Sequence, residues 1–227
     1  MSTAVRRRKG KGTVRKKRPC TRKKKKNNIL YKYRRIIAAA VSVIVITFLT
    51  VILVKVQKNQ SIKDSNEKVI FEFLTDKMGL NTAAACGVLA NIEQESGFHY
   101  DNMEKGYTWA QGAGYGICQW TNYPREAVTG RRTELVDWCV QNGYDYKTLI
   151  GQLEFLKYEL TSNPAFTDSV TEKLRSVPDT ADGAYQAGYC WCYYFEVPEG
   201  YDEGVSETRG ETARDRYWIK YCTAEEV

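Results

Sequence analysis

The 227-residue sequence predicts a mainly α-helical domain behind a single N-terminal transmembrane helix. Three observations predict this class. An uncharged apolar run of 19 residues follows directly on a strongly basic segment. From residue 67 onward, apolar side chains recur at three- and four-residue spacing, the period of a helix face. The breaks between these stretches hold Asn, Gly and Pro, which cap or end helices.

Residues 1–35 carry 17 Lys or Arg and no Asp or Glu, so a formal net charge of +7 for the whole chain leaves −10 on residues 36–227. The run 36–54, IIAAAVSVIVITFLTVILV, has only Ser42, Thr47 and Thr50 as polar residues. As a helix rising about 1.5 Å per residue it spans roughly 28 Å, near the hydrocarbon thickness of a bilayer. No small-residue cleavage pattern follows in residues 55–60, so residues 36–56 read as a retained signal anchor. Positive charge marks the cytoplasmic side, which makes residues 1–35 a basic cytoplasmic tail and sends the rest of the chain to the outer face of the cell membrane. The tail has no aromatic residue before Tyr31 and Tyr33, so anionic lipid is its expected contact and no nucleic acid is expected.

Residues 57–66, QKNQSIKDSN, are polar and without an apolar period, and read as a linker. The domain then occupies residues 67–222. Val69, Ile70, Phe73 and Leu74 predict a first helix that stops at Gly79. Asn81 is placed to cap a second through Ala83, Ala84, Ala85, Val88, Leu89 and Ile92, whose small residues imply close packing. A third is predicted from 131 to 141, before Asn142-Gly143, and a fourth carries Leu153, Leu156 and Leu160 before Asn163-Pro164. Further helices are expected around 165–175, 180–194 and 208–221. The Gly- and aromatic-rich stretch 98–124 reads as loop with a short strand pair.

Of seven cysteines, Cys20 falls in the tail, and Cys86, Cys118, Cys139, Cys190, Cys192 and Cys222 fall outside. Six cysteines in an oxidising location permit up to three disulfides, with 15 pairings that sequence leaves open. Cys190-Trp191-Cys192 is C-x-C, and His99 is the only histidine, so the spacings of zinc sites are missing. No metal and no cofactor is expected.

The second helix closes on Asn91-Ile92-Glu93-Gln94-Glu95-Ser96-Gly97-Phe98. Glu93 and Glu95 fall on opposite edges of its apolar face, and periodicity does not choose between them. Either one sits in the last turn, where the negative end of the helix dipole and partial burial raise a carboxyl pKa. A carboxyl kept protonated near neutral pH is what a general acid requires.

Asn91-x-x-x-Glu95-Ser96-Gly97-Phe98 resembles the E-S-x-F signature of lysozyme-like peptidoglycan hydrolases and lytic transglycosylases, and Gly116-Ile117-Cys118-Gln119-Trp120 resembles the G-[IL]-x-Q that follows it. The series GVLANIEQESGF, YGICQW, GRRTELVDWC, GQLEFLKYEL and FEVP resembles the phage tail-tip lysozyme family in order and spacing, over about residues 67–221. The resemblance implies an α+β lysozyme-like fold facing the cell wall and cleavage of the β-1,4 bond between N-acetylmuramic acid and N-acetylglucosamine in peptidoglycan. It makes Glu95 the catalytic acid and leaves Glu93 a solvated neighbour.

A second carboxylate, where glycoside hydrolysis uses one, has Asp101, Glu104 and Glu196 as candidates. Tyr185-Gln186-Ala187-Gly188 resembles the A-Y-N-A-G motif of transglycosylases, with Gln in place of Asn. The implied substrate contacts are Gln119, by hydrogen bonding, and Trp120, Tyr115 and Tyr185. Trp109, Tyr115 and Trp120 suit sugar rings or core filling alike. Gly112, Gly114 and Gly116 fit either turns or close approach of a glycan, and Arg131-Arg132 either a solvated helix start or stem-peptide carboxylates.

The implied partners are peptidoglycan glycan strands, the membrane and, for a tethered hydrolase of this kind, a conjugation or secretion apparatus. The alternative is a non-catalytic wall-binding or scaffold protein of such an apparatus.

Overall fold

The computed structural model describes residues 22–125, 127–197 and 202–222. Most of the basic tail, Cys20 and the Pro198 that ends FEVP lie outside the described residues. The chain divides into two units, residues 1–56 and 57–227. In the first, the apolar run is part of helix α1 (Arg22–Glu72). From Ile29 onward this helix is long and apolar enough to cross a membrane, and no part of its most apolar window is buried.

In the second unit, residues 57–66 are helical, the continuation of α1. Polar contacts hold them. Lys63 Nζ reaches Glu93 Oε1 at 2.5 Å, and Asn66 Nδ2 donates to the Phe98 carbonyl at 2.9 Å. Such contacts lie 30 and 32 residues along the chain and leave no apolar period, which is why this stretch looks like a tether in sequence. Ile70, Phe73 and Leu74 then enter the core, and a π-helical turn (Phe73–Lys77) leads to Gly79 at φ 68°.

The core is built around α2 (Thr82–Ser96). Asn81 caps it as predicted, its side chain accepting from the Ala84 amide at 2.8 Å. Twelve of its fifteen residues are buried. Gly87 is where another helix crosses: a Cβ there would lie 2.5 Å from Ala187 Cβ and from the Gly188 nitrogen. Asn91 Nδ2 ties the same crossing by donating to the Gly87 and Gly188 carbonyls at 2.9 and 3.0 Å. Gly97, at φ 60°, ends α2 in the left-handed conformation that glycine adopts without strain.

The stretch after α2 has one 3₁₀ turn (Trp109–Gln111) and two isolated bridges, Met103 to Tyr115 and Tyr115 to Trp120. The expected strand pair is reduced to these bridges, and no strand occurs among the described residues. Next come α3 (Arg131–Gln141) and α4 (Leu149–Ser162), the latter capped by Thr148 and ended by Asn163-Pro164. Then follow α5 (Pro164–Phe166), a π-helical turn (Thr167–Thr171) and α6 (Glu172–Ser176). Helix α7 (Ala181–Trp191), capped by Thr180, packs across α2 and passes into another π-helical turn (Cys192–Glu196). The last elements are α8 (Glu203–Thr212), the turn Ala213–Trp218 and α9 (Ile219–Cys222). The domain is mainly α, as the sequence predicts.

The disulfides that the cysteine count permits do not form: all six described cysteines are free thiols. Cys86, Cys118, Cys139, Cys190 and Cys192 are buried and fill the core as small apolar side chains. Burial pushes the Cys86 thiol up to about 12 and those of Cys139 and Cys190 to about 11.

Candidate active site

The last turn of α2 opens onto a cavity of about 1320 Å³, lined by Glu95 together with residues of the 102–125 loop, Arg131 and the Cys192–Glu196 turn. Glu95 is half-buried, with its side chain 22% exposed. Burial raises its pKa, and Arg209 of α8, whose Nη2 lies 3.3 Å from Glu95 Oε1, partly offsets the rise. The net shift is upward, as a proton donor in a desolvated groove requires.

Glu196 lines the same cavity. Its Oε1 accepts from the Trp191 indole at 2.8 Å. Burial and then the nearby charge of Glu95 push its pKa up to about 8, against the lowering effects of Arg131 and the Trp191 hydrogen bond. The other two candidate second carboxylates are placed differently. Asp101 is exposed and does not line the cavity. Glu104 does line it, but its two oxygens are held by Arg125 at 2.6 and 3.0 Å and by the Gly114 amide at 2.9 Å. The Arg125 hydrogen bond holds its carboxyl below the usual range, so Glu104 clamps the loop as an anion.

Gln119 lines the cavity from a left-handed turn at φ 45°. Its Nε2 donates to the Gly116 and Asn102 carbonyls at 2.8 and 3.2 Å, which fixes the amide and leaves its Oε1 to accept from a ligand.

The three aromatic candidates do not join it. Trp120 is fully buried, its indole donating to Glu159 Oε2 at 2.7 Å and its ring packed edge-on against Phe155. It is a core residue and offers no face to a sugar. Tyr115 exchanges backbone hydrogen bonds with Trp120 and sets its ring among Trp109 and Tyr146, with centroids at 5.3 and 6.0 Å. Tyr185 packs against Gly210 of α8, with the Arg214 guanidinium 5.5 Å from its ring. Neither lines the cavity.

Glu93 is not a solvated neighbour. It is 15% exposed and accepts from Lys63, Arg216 and the Tyr217 hydroxyl. Arg131 is not solvated either: it binds Glu159 at 2.8 and 3.1 Å and lies over the rings of Phe166 and Phe195. Arg132 donates to the Ala113 carbonyl at 3.0 Å and stacks on Trp109. Sequence reasoning missed Arg209, which lies 114 residues from Glu95 and belongs to no recognisable motif.

Among the described residues no cluster of His, Cys, Asp and Glu could hold a metal ion, and the chemistry that this site offers is that of carboxyls. A helical domain whose central helix ends on a half-buried glutamate, facing a cavity shared with a second carboxyl, has the construction of a lysozyme-like protein. Residues 65–221 match the family of phage tail lysozymes, and the chain belongs to that family. It is also similar to morphogenesis protein 1 of Bacillus phage B103, at 22% identity over 161 residues. That match covers 70% of this chain and only 39% of the length of the phage protein.

Proposed function

We propose that the chain is a membrane-anchored peptidoglycan glycosidase, a muramidase or lytic transglycosylase. It cleaves the β-1,4 bond between N-acetylmuramic acid and N-acetylglucosamine, with Glu95 as general acid. The observation that carries this reading is the environment of Glu95: the carboxyl borders a cavity large enough for glycan residues, and burial raises its pKa. Gln119 supplies an acceptor for a sugar hydroxyl or acetamido group in the same cavity. The basic flank orients the apolar helix with its N-terminus in the cytoplasm, so the domain faces the wall and opens it locally. A conjugation or secretion apparatus that must pass the wall is the setting such an opening serves.

The Arg209 contact favours a second reading, since an arginine against Glu95 stabilises the ionised form, which donates no proton. On that reading the domain binds the wall without cutting it. To separate the two, the full chain in detergent micelles is incubated with purified peptidoglycan and the soluble products are identified by mass spectrometry. Muropeptides from the wild type and from Glu93→Gln, absent with Glu95→Gln while binding persists, are expected. A folded wild type that pulls down peptidoglycan and releases nothing would refute catalysis.

A further inference from the structure

We propose that Glu196 is the second carboxyl of the reaction, forming with Glu95 a pair that holds a single proton and accepts a proton from the attacking water. The inference rests on the glycosidase reading above and assigns the partner that the reading leaves open.

The placement of Glu196 carries it. The residue closes the π-helical turn that follows α7, and from there it lines the cavity that also holds Glu95. Trp191, itself fully buried, fixes Glu196 Oε1 through its indole N–H and leaves Oε2 without a protein donor among the described residues. The charged groups around Glu196 are Glu95 from α2, Arg131 from α3 and Glu159 from α4. Arg131 compensates it only in part, because its guanidinium is committed to Glu159 by two hydrogen bonds and to the Phe195 carbonyl at 3.3 Å. Glu95, by contrast, has Arg209 beside it. The two neighbouring carboxyls are therefore unequally compensated, and two that share a site do not both ionise readily. Between its two titration steps the pair carries one proton. Arg209 beside Glu95 favours the ionised form of that partner, so in the free protein the proton rests on Glu196.

One proton on two carboxyls is what glycoside hydrolysis uses. In the reacting arrangement Glu95 carries the proton and passes it to the glycosidic oxygen as the bond from that oxygen to the anomeric carbon breaks. The oxygen of a water molecule bonds to the anomeric carbon, and one of its protons goes to Glu196. The product state has Glu196 protonated and Glu95 ionised against Arg209, the arrangement of the free protein. Return of the proton from Glu196 to Glu95 restores the donor for the next bond. Neither oxidant nor co-reactant other than water enters.

The test compares the full chain in detergent with its Glu196→Gln, Glu196→Ala and Glu95→Gln variants on purified peptidoglycan, with products read by mass spectrometry and rates followed across pH. The wild type is expected to release reducing muramic ends, and Glu196→Gln to lose about 100-fold or more in rate. In Glu196→Gln the residual activity has its alkaline limb at lower pH, because Glu95 no longer feels a neighbouring negative charge; a merely structural role would not move it. In Glu196→Ala, sodium azide replaces water as the nucleophile and yields a muramyl azide, a product absent with Glu95→Gln.

Wild-type rate and an unchanged pH profile in Glu196→Gln would overturn the inference. So would a folded Glu196→Ala that forms no azide adduct, or a wild type that gives only 1,6-anhydro ends, since then no water is activated. A wild type that releases no product refutes the glycosidase reading itself and is told apart from these outcomes by that alone.

Discussion

Replacing Glu93 by Gln removes one negative charge from a nearly closed cage while keeping the side chain's shape. In the native protein this carboxylate accepts from Lys63 at 2.5 Å, from Arg216 at 2.9 and 2.7 Å and from the Tyr217 hydroxyl at 2.7 Å. Hydrogen bonds to charged groups contribute about 1.5–3 kcal/mol each where water is excluded. Arg216 is 53% exposed, so its share is screened and small. Lys63 is 21% exposed and Tyr217 is buried, and these two set the magnitude. The expected loss is about 2–4 kcal/mol. For a domain of this size it lowers Tm by roughly 5–15 °C, read by near-UV circular dichroism of the full chain in detergent.

The pH dependence has a definite sign. Burial raises the Glu93 pKa, but the Lys63 and Tyr217 hydrogen bonds and the Arg216 charge outweigh it and leave the carboxyl below its ordinary value of 4.5. A depressed folded-state pKa contributes stability that is present above the unfolded value and is lost as pH falls through the folded one. The gap in Tm between wild type and Glu93→Gln is therefore full at pH 7 and closes in acid below the ordinary carboxylate value. Equal melting at pH 7, or a gap that persists unchanged in acid, would refute the cage.

Three further outcomes are expected. Arg209→Met removes the positive charge that lowers the Glu95 pKa, so the alkaline limb of the activity profile moves to higher pH; a stationary limb would show that the contact does not tune the acid. Trp120→Phe strips the hydrogen bond to Glu159, a residue 1% exposed, and costs about 1–3 kcal/mol in chemical denaturation, with KM for peptidoglycan unchanged because the ring never meets the cavity. Gly87→Ala forces a methyl to within 2.5 Å of Ala187 Cβ at the crossing of α2 and α7, and its overpacking of about 1–3 kcal/mol exceeds the helix-propensity gain of about 1 kcal/mol, so the variant melts lower.

Helices were legible in the sequence wherever local chemistry marks their ends. Asn81 announces α2 by a side chain that can reach the amide three residues on, and Asn163-Pro164 stops α4 whatever surrounds it. Apolar spacing placed α3 over residues 131–141, and that is its extent. The 57–66 stretch was illegible for the opposite reason. Its helix docks through Lys63 and Asn66, single polar residues whose partners lie in or just beyond α2, and a polar contact leaves no period to read. In residues 98–124, local pattern specifies little, because a chain held by turns such as those at Gly116 and Gln119 has no fixed alternation between inside and outside. The adjacent Gln119 and Trp120 consequently part ways, one into the cavity and one into the core, and sequence neighbourhood could not tell them apart.

Glu93 and Glu95 show why the site was only half legible. They occupy equivalent edges of one helix, and the dipole at its end acts on both. What separates them comes from other parts of the chain: Lys63 of α1 and Arg216 and Tyr217 of the turn after α8 close on Glu93, and Arg209 reaches Glu95 from α8. Burial raises both carboxyls, but Lys63, Tyr217 and Arg216 outweigh it at Glu93, whereas Arg209 offsets it only in part at Glu95. The C-terminal segment thus acts twice at the end of α2: Arg216 and Tyr217 help fix Glu93 as a structural anion, and Arg209 moderates the rise that burial gives Glu95. Removing the Arg209 charge alone would therefore widen the difference between the two glutamates, because burial would then act on Glu95 unopposed while Lys63 still holds Glu93 down.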